Sequence, residues 1–492
     1  MAEILAKRND VEIKDRKLLK IIMYIPCILS LYGNLDNDIW FLLNHGRYVL
    51  ENGFPYIEPF TIHNGLEFVM QQWLSAVIFW VTYSNLGVFG LKILVMLCYG
   101  LITHFAFKLC MKVSENHFFV AFTVTFCISS LLYPFIVERP YIFSILIIII
   151  EIYLLECFIW SNKRGYLYFL PFLSILLINF QAAIWPMLFV ILMPYIIDSF
   201  KIKFGIIRGH GYRKKTLFVV IIIMIIVGYI NPYGTKAMTY LFNSYGIPEI
   251  SESVSEMNPA NINNFVGKLV IGSMLILVFI HISYKSKFKL RYVLLTLGTG
   301  YLALSSVRGL VFFAICGYFP VAFYLRNLNL PEKHRNLTKK TLFIRKILIG
   351  LIIISIGLTT IIWEKNKLKN NINYTSLNST IDYLIESQDL DNIILYTGYN
   401  DGGLVEFRGI PTYIDPRAEV FVKKNNKKDD IMKEYILMQA GSIYYKNVLF
   451  KYNFTHLLVT KEDILYEYLK NDDDYISIYS NKIYTIYKLK YK

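Results

Sequence analysis

What most constrains this chain is the length of its uninterrupted apolar blocks. Residues 141–153 contain a single charged side chain, Glu151, and residues 217–230 contain none. A helix crossing a bilayer needs roughly 20 apolar residues, whereas a surface helix of a soluble protein keeps a polar face. Apolar residues make up 55% of the 492 and charged residues only 18%, against about 45–50% and about 25% in soluble domains. A mean hydropathy of +0.43 points the same way. These features exclude a wholly soluble enzyme, a disordered chain and a disulfide scaffold. The expected fold class is an α-helical polytopic membrane protein.

The formal net charge of +15 looks like a nucleic-acid signature until it is mapped. From Glu364 onward there are 18 Lys and Arg against 18 Asp and Glu, so that region is neutral. The excess lies in short loops between apolar blocks: Lys7, Arg8, Lys14, Arg16, Lys17 and Lys20 at the start, six residues in the 200–216 loop, Lys285, Lys287, Lys289 and Arg291, and seven between Arg326 and Lys346. The alternate loops hold little beyond Arg47, Arg139, Lys236 and Arg308. Cytoplasmic loops carry the excess of Lys and Arg, so the first set is placed inside and the second outside. No nucleic-acid partner is needed to explain the charge.

About eleven crossings follow: 20–33, 88–110, 117–137, 141–160, 167–183, 185–199, 216–231, 266–284, 292–306, 309–325 and 347–363. Residues 1–19 form a cytoplasmic N-terminus, 20–363 the membrane domain with external loops at 34–72 and 232–265, and 364–492 an extracytoplasmic tail. The apolar segment 72–86 would invert the charge pattern as a full crossing, so it is expected as an external juxtamembrane helix or a re-entrant piece. The expected location is the plasma membrane, with no cleavable leader, because the basic start leads straight into an apolar segment. The tail alternates short β-like runs (393–396, 412–414, 456–459, 475–479, 483–487) with helical stretches at 377–386 and 431–440, which predicts a small α/β domain. All six cysteines (Cys27, Cys98, Cys110, Cys127, Cys157 and Cys316) fall in or beside apolar segments. They read as small core residues rather than disulfides or zinc ligands.

The densest set of candidate residues follows the first crossing: Asp36-Asn-Asp38-Ile-Trp40, His45-Gly-Arg47, Gly53-Phe-Pro55, Glu58-Pro59 and Gln71-Gln72-Trp73. A carboxylate at the membrane interface is partly desolvated, so its pKa rises toward the range of a general base. Two Asp at this spacing could instead share a divalent cation, or one could cap the helix that presents Trp40. Arg139 and Arg308 each occupy a very short external turn, where a guanidinium suits a phosphate bidentately, snorkels to headgroups or, for Arg139, pairs with the adjacent Glu138. Glu151 lies mid-span and is a functional candidate by position, while Glu156 is expected to reach water at the cytoplasmic end.

These residues resemble a family. Asp36-Asn-Asp38-Ile-Trp40 followed by Gly46-Arg47, Gly53-x-Pro55 and Gln72-Trp73-Leu74 resembles the first external loop of bacterial GT-C-type membrane glycosyltransferases, most closely a mostly uncharacterised branch reading D-P-D-x-W…G-R…G…P…W…E-W-L. Arg139-Pro140 resembles its R-P turn, Leu170-Pro171…Asn179-x-Gln181 its L-P…N-x-H-G stretch, and Asn231-Pro232-Tyr233-Gly234 its N-P-Y-G. Tyr399-Asn-Asp401-Gly402-Gly403 and Asp415-Pro-Arg417 resemble its D-x-G-G and D-x-R motifs. Gln181 and Ala182 replace the family's His and Gly, and Gln72 its usual Glu.

The resemblance implies transfer of a sugar from a polyprenyl-phosphate donor to a cell-surface acceptor (glycan, wall polymer, lipid or protein) on the outer face. It implies Asp36 and Asp38 as catalytic residues. Substrate contacts would come from Trp40, Arg47, Gln72, Trp73, Arg139, Asn179, Asn231, Tyr233, Arg308, Asp401, Asp415 and Arg417. A cofactor is not required, although a divalent cation on Asp36 and Asp38 is compatible with it. Membrane lipids are the surrounding partners. A surface polysaccharide polymerase or ligase, a lipid-linked substrate transporter or flippase, and a membrane-anchored polymer-binding protein remain alternative readings.

Overall fold

The structure is a computed structural model that describes residues 16–32, 35–212, 214–244, 246–253, 255–260, 288–326 and 372–490, with isolated positions between 263 and 278. The expected crossing at 347–363, most of that at 266–284, and the basic residues Lys7, Arg8, Lys14, Lys285, Lys287 and 327–346 lie outside the described residues.

The longer helices before the tail, in chain order, are α1 (Ile39–Asn52), α2 (Trp73–Val113), α3 (Phe118–Leu132), α4 (Tyr141–Ser161), α5 (Leu170–Phe180), α6 (Pro186–Asp198), α7 (Lys214–Val227), α8 (Leu290–Ser305) and α9 (Val307–Leu325). Among the described residues, four helical stretches are long and apolar enough to cross a membrane: Trp73–Val113, Phe118–Phe135, Tyr141–Ser161 and Val307–Leu325. Shorter apolar helices occupy Arg164–Phe180, Ala182–Asp198 and Lys215–Val227. The segment expected to lie across the surface, 72–86, is the first part of α2. It is separated from the rest by a break at Gly87, whose φ of 61° is open to glycine without strain. Pro140 starts α4 and Asn162, left-handed at φ 56°, ends it.

At the end of the bundle away from α1, Glu156 is fully buried and does not reach water. Arg291 grips it through Nε and Nη2 (3.0 and 3.1 Å) and reaches Asp198 through Nη1 (3.0 Å). The Tyr195 and Tyr292 hydroxyls donate to the same carboxylate. A buried charge is tolerated only when paired and hydrogen-bonded this fully. Next to it, β1 (Lys203–Phe204), β2 (Ile207–Arg208) and β3 (Phe288–Lys289) form a small sheet. Glu151 is also buried, in α4, and its carboxyl has no hydrogen-bond partner among the described residues.

The tail is an α/β unit. After a helix at 372–387, β4 (Leu395–Tyr396), β5 (His456–Thr460), β6 (Tyr475–Ser480) and β7 (Tyr484–Leu489) form a sheet of order β4-β5-β7-β6. The β4–β5 pair is parallel and the other two are antiparallel. Helices α10 (Gly402–Phe407), α11 (Ile431–Gln439), α12 (Tyr445–Lys451) and α13 (Ile464–Lys470) pack around it. Its strands and its helix at Ile431–Gln439 fall on the runs that alternation in the sequence marks.

Helix α1 is the joint between the two parts. A Cβ on Gly46 would stand 2.1 Å from the Ala76 carbonyl oxygen, so only glycine lets α1 and α2 cross this closely. On the tail side, a Cβ on Gly402 would stand 2.0 Å from the Ile414 carbonyl oxygen. Trp40 fills the seam, stacked on Tyr374 with centroids 5.5 Å apart and against Phe407 at 5.3 Å.

Candidate functional site

Four loops far apart in sequence deliver charged side chains to one place. Asp36 and Asp38 lie in the turn before α1, and Arg139 in the turn between α3 and α4. Arg308 lies on the first turn of α9, which the Ser306 hydroxyl caps by accepting from the Gly309 N–H. Glu256 lies in a short 3-10 turn, Ser255–Met257. Arg139 sits at the centre: Nε to Asp36 Oδ1 is 2.9 Å, Nη2 to Asp38 Oδ2 is 3.1 Å and Nη1 to Glu256 Oε1 is 3.1 Å. Arg308 Nη2 takes the other Glu256 oxygen at 2.8 Å. The support is buried. Glu138 does not pair with its neighbour Arg139. It forms an ion pair with Lys92 of α2 at 2.6 Å and accepts from the Asp36 N–H at 3.3 Å. The Tyr141 hydroxyl donates to the Arg308 carbonyl, tying the starts of α4 and α9 together.

Neither aspartate acts as a helix cap. Asp38 stands at the N-cap position of α1 without a side-chain cap bond, and Asp36 instead accepts from the Asp38 N–H. Enclosure by protein pushes the Asp38 carboxyl up to about 7, against the pull of Arg139 and with the help of Asp36 and Glu256. Its side chain keeps 26% exposure, so the acid is crowded on most sides but open on one. Enclosure also opposes the charge of Arg139, but Asp36, Asp38 and Glu256 outweigh it and hold the guanidinium ionised. Enclosure works against Glu256 too, and its two arginines overcome that and lower its pKa. The result is one carboxyl that titrates near neutrality beside two fixed cations, the arrangement expected of a general base.

The other sequence candidates fall into three groups. Trp40 is packed in the seam. Arg47 bonds Asn44 and the Phe407 carbonyl and lies over the Trp80 and Phe407 rings. In this arrangement both hold α1 to the tail. Gln72 begins α2 by accepting the Ala76 N–H. Trp73 Nε1 donates to Asn179 at 2.8 Å, and Asn179 donates to the Ile230 carbonyl. Asn231 staples its own turn by bonding the Gly228 and Gly234 carbonyls, and the Tyr233 hydroxyl reaches the Pro55 carbonyl. Trp73, Asn179, Asn231 and Tyr233 therefore join the loop 53–73 to the ends of α5 and α7, while Gln72 only starts its own helix.

The third group lies inside the tail. Asp401 accepts from the Tyr484 hydroxyl at 2.9 Å, and burial lifts its carboxyl to about 7. Asp415 and Arg417 belong to a buried network. Arg417 grips Asp415, reaches Glu58 of the loop that follows α1 at 2.9 Å and Glu406 at 3.7 Å, and donates toward His45 Nε2. Burial keeps His45 neutral, and burial beside Asp415 raises Glu406, so a single cation faces mainly Asp415 and Glu58.

Glu256 is the residue that sequence reasoning passes over. It is the last of three glutamates (Glu249, Glu252 and Glu256) in a loop with several serines and asparagines, and nothing in the sequence separates it from the other two. Asp36, Asp38 and Glu256 converge on Arg139 rather than on one another. Among the described residues no three His, Cys, Asp or Glu side chains are grouped to hold a metal ion. The oxygen donors that a hard cation would need are taken by a guanidinium, so no step below is routed through a metal.

A similar fold occurs in a solved oligosaccharyltransferase. The apo crystal structure of the Archaeoglobus fulgidus oligosaccharyltransferase matches with a TM-score of 0.63 at 11% identity, over 90% of this chain and 69% of that one. The same protein tethered by a disulfide to an acceptor peptide containing the NVT sequon gives a TM-score of 0.60 at 11% identity and the same coverage. At this identity the likeness is one of fold alone. No protein-family model matches the chain, and no curated protein matches it in sequence.

Proposed function

We propose that this chain is a bacterial membrane glycosyltransferase. In this reading it takes a sugar from a polyprenyl-phosphate carrier and passes it to a cell-surface acceptor on the outer face of the plasma membrane. The N-terminus lies in the cytoplasm and residues 364–492 lie outside. The observation that carries the reading is the convergence of Asp36, Asp38, Glu256, Arg139 and Arg308 from four separate loops into one partly open cluster.

The reaction is a single displacement. Asp38 accepts the proton of an acceptor hydroxyl, whose oxygen attacks the anomeric carbon. The bond from that carbon to the phosphate oxygen breaks, and the electron pair leaves with the polyprenyl phosphate. Charge therefore grows on the phosphate in the transition state, where preformed N–H donors act most strongly. Arg139 already spends its Nε and both Nη groups on carboxylates, so it organises the base. Arg308 is 34% exposed and pairs with one carboxylate among the described residues, which makes it the phosphate ligand in this reading. Asp36 positions the turn and Arg139 rather than exchanging protons.

The test is initial-rate transfer by Asp36→Asn and Asp38→Asn proteins in proteoliposomes with a polyprenyl-phosphate-sugar donor. Asp38→Asn should lower turnover by about 10²–10⁴-fold, the usual contribution of a positioned base, and Asp36→Asn by less. Unchanged transfer in the Asp38 variant rejects this assignment.

A further inference from the structure

A second cavity, of about 120 Å³, lies where the first external loop, the segment after α7 and the tail meet. Its polar groups come from all three. Lys236 pairs with Glu67 at 2.9 Å, and the Tyr240 hydroxyl donates to Glu419 at 2.9 Å. Lys424 and Lys427 line the same space. With two glutamates against three lysines, the lining carries one net positive charge. Asn425 donates its amide N–H to the Glu419 carbonyl, while its Oδ1 is buried and accepts no hydrogen bond among the described residues. A buried acceptor without a donor costs about 1–3 kcal/mol, so a ligand that brings an O–H is favoured there.

We propose that this cavity is the binding subsite for an acidic sugar unit of the acceptor glycan. The cations take the acidic group, Asn425 and Glu419 accept sugar hydroxyls, and Phe68 and Val69 supply an apolar wall. A free inorganic anion fits less well, because it brings no ring face to lie on the apolar wall of Phe68 and Val69. A neutral sugar leaves the positive charge unanswered. The volume is about four waters at ~30 Å³ each, which is room for one acidic ring edge and excludes an oligosaccharide from the interior. The acceptor role rests on the function proposed above, whereas the binding itself does not.

The experiment titrates the purified full chain in nanodiscs with galacturonic acid, galactose and inorganic phosphate by calorimetry or ligand-observed NMR. The comparison is with Lys424→Gln/Lys427→Asn. Asn is used at 427 because that residue has φ 61°, where Asn is tolerated. Galacturonate should bind more tightly than the other two, with affinity falling about tenfold in the double variant and also as salt rises. In transfer assays the double variant should raise the acceptor KM and leave kcat near wild type. Absence of galacturonate binding, equal binding of phosphate or galactose, or an unaffected double variant overturns the proposal. The Asp38→Asn protein should bind galacturonate normally, so failure of the pocket and failure of the catalytic reading are scored separately.

Discussion

Replacing Arg139 by Gln should move the pH dependence of transfer as well as its rate. Arg139 Nη2 stands 3.1 Å from Asp38 Oδ2, and among the charged neighbours it is the main influence holding that carboxyl down. Two unit charges about 4 Å apart interact by about 4 kcal/mol at an effective dielectric near 20, which corresponds to roughly three pKa units. Asp38 keeps 26% side-chain exposure and Arg308 remains nearby, so screening reduces the expected change to about one to two units. The sign follows from the charge: removing a cation favours the protonated acid, so the base titrates above its present value of about 7. At neutral pH the variant should transfer about five to fifty times more slowly and recover part of the loss as pH rises. Initial rates at saturating donor, across about pH 6 to 9.5, measure this for wild type, Arg139→Gln and Arg139→Lys. The Lys variant keeps the charge and should keep its inflection near that of wild type, although it loses the planar fork that spans three carboxylates. A Gln variant that is slower at every pH with an unmoved inflection would show that Asp38 is not the titrating base.

Three further outcomes follow. Arg308→Lys should lower single-turnover kcat more than it weakens donor binding, because its contact strengthens in the transition state; wild-type rates would return Arg308 to a lipid-headgroup role. Arg417→Met leaves Asp415 and Glu58 buried without their cation and should destabilise the protein by about 3–5 kcal/mol, seen as a lower thermal midpoint and faster proteolysis within 372–490. Single cysteines at Ser251 and Asp473, in a cysteine-free background, should be labelled from outside in intact cells, and labelling only after lysis would reverse the topology and remove the site from the outer face.

The sequence by itself determined the class of molecule and the positions of most secondary elements. Apolar blocks such as 141–160 and 309–325 can be satisfied only as helices whose backbone bonds are internal, and α4 and α9 follow them closely. Alternation in the tail placed β5, β6 and β7, because a side-chain period of two is a local property of the strand. The two aspartates and the arginines of the two short turns were also legible, since a charge beside a membrane segment is costly and therefore conspicuous. Which charge meets which was decided by tertiary structure alone. Arg139 meets Asp36 across 103 positions and Glu256 across 117, and Arg417 meets Glu58 across 359. Adjacent residues misled instead: Glu138 turns away from Arg139 to Lys92, and Glu156 turns inward to Arg291. Trp40 and Arg47 sit in the same motif as the aspartates, yet the packing of α1 against the tail assigns them to the seam and leaves the carboxylates at its open edge. Local periodicity reports how a segment folds on itself. The partner of a charge depends on where distant segments are brought together, and one sequence carries no local signal for that.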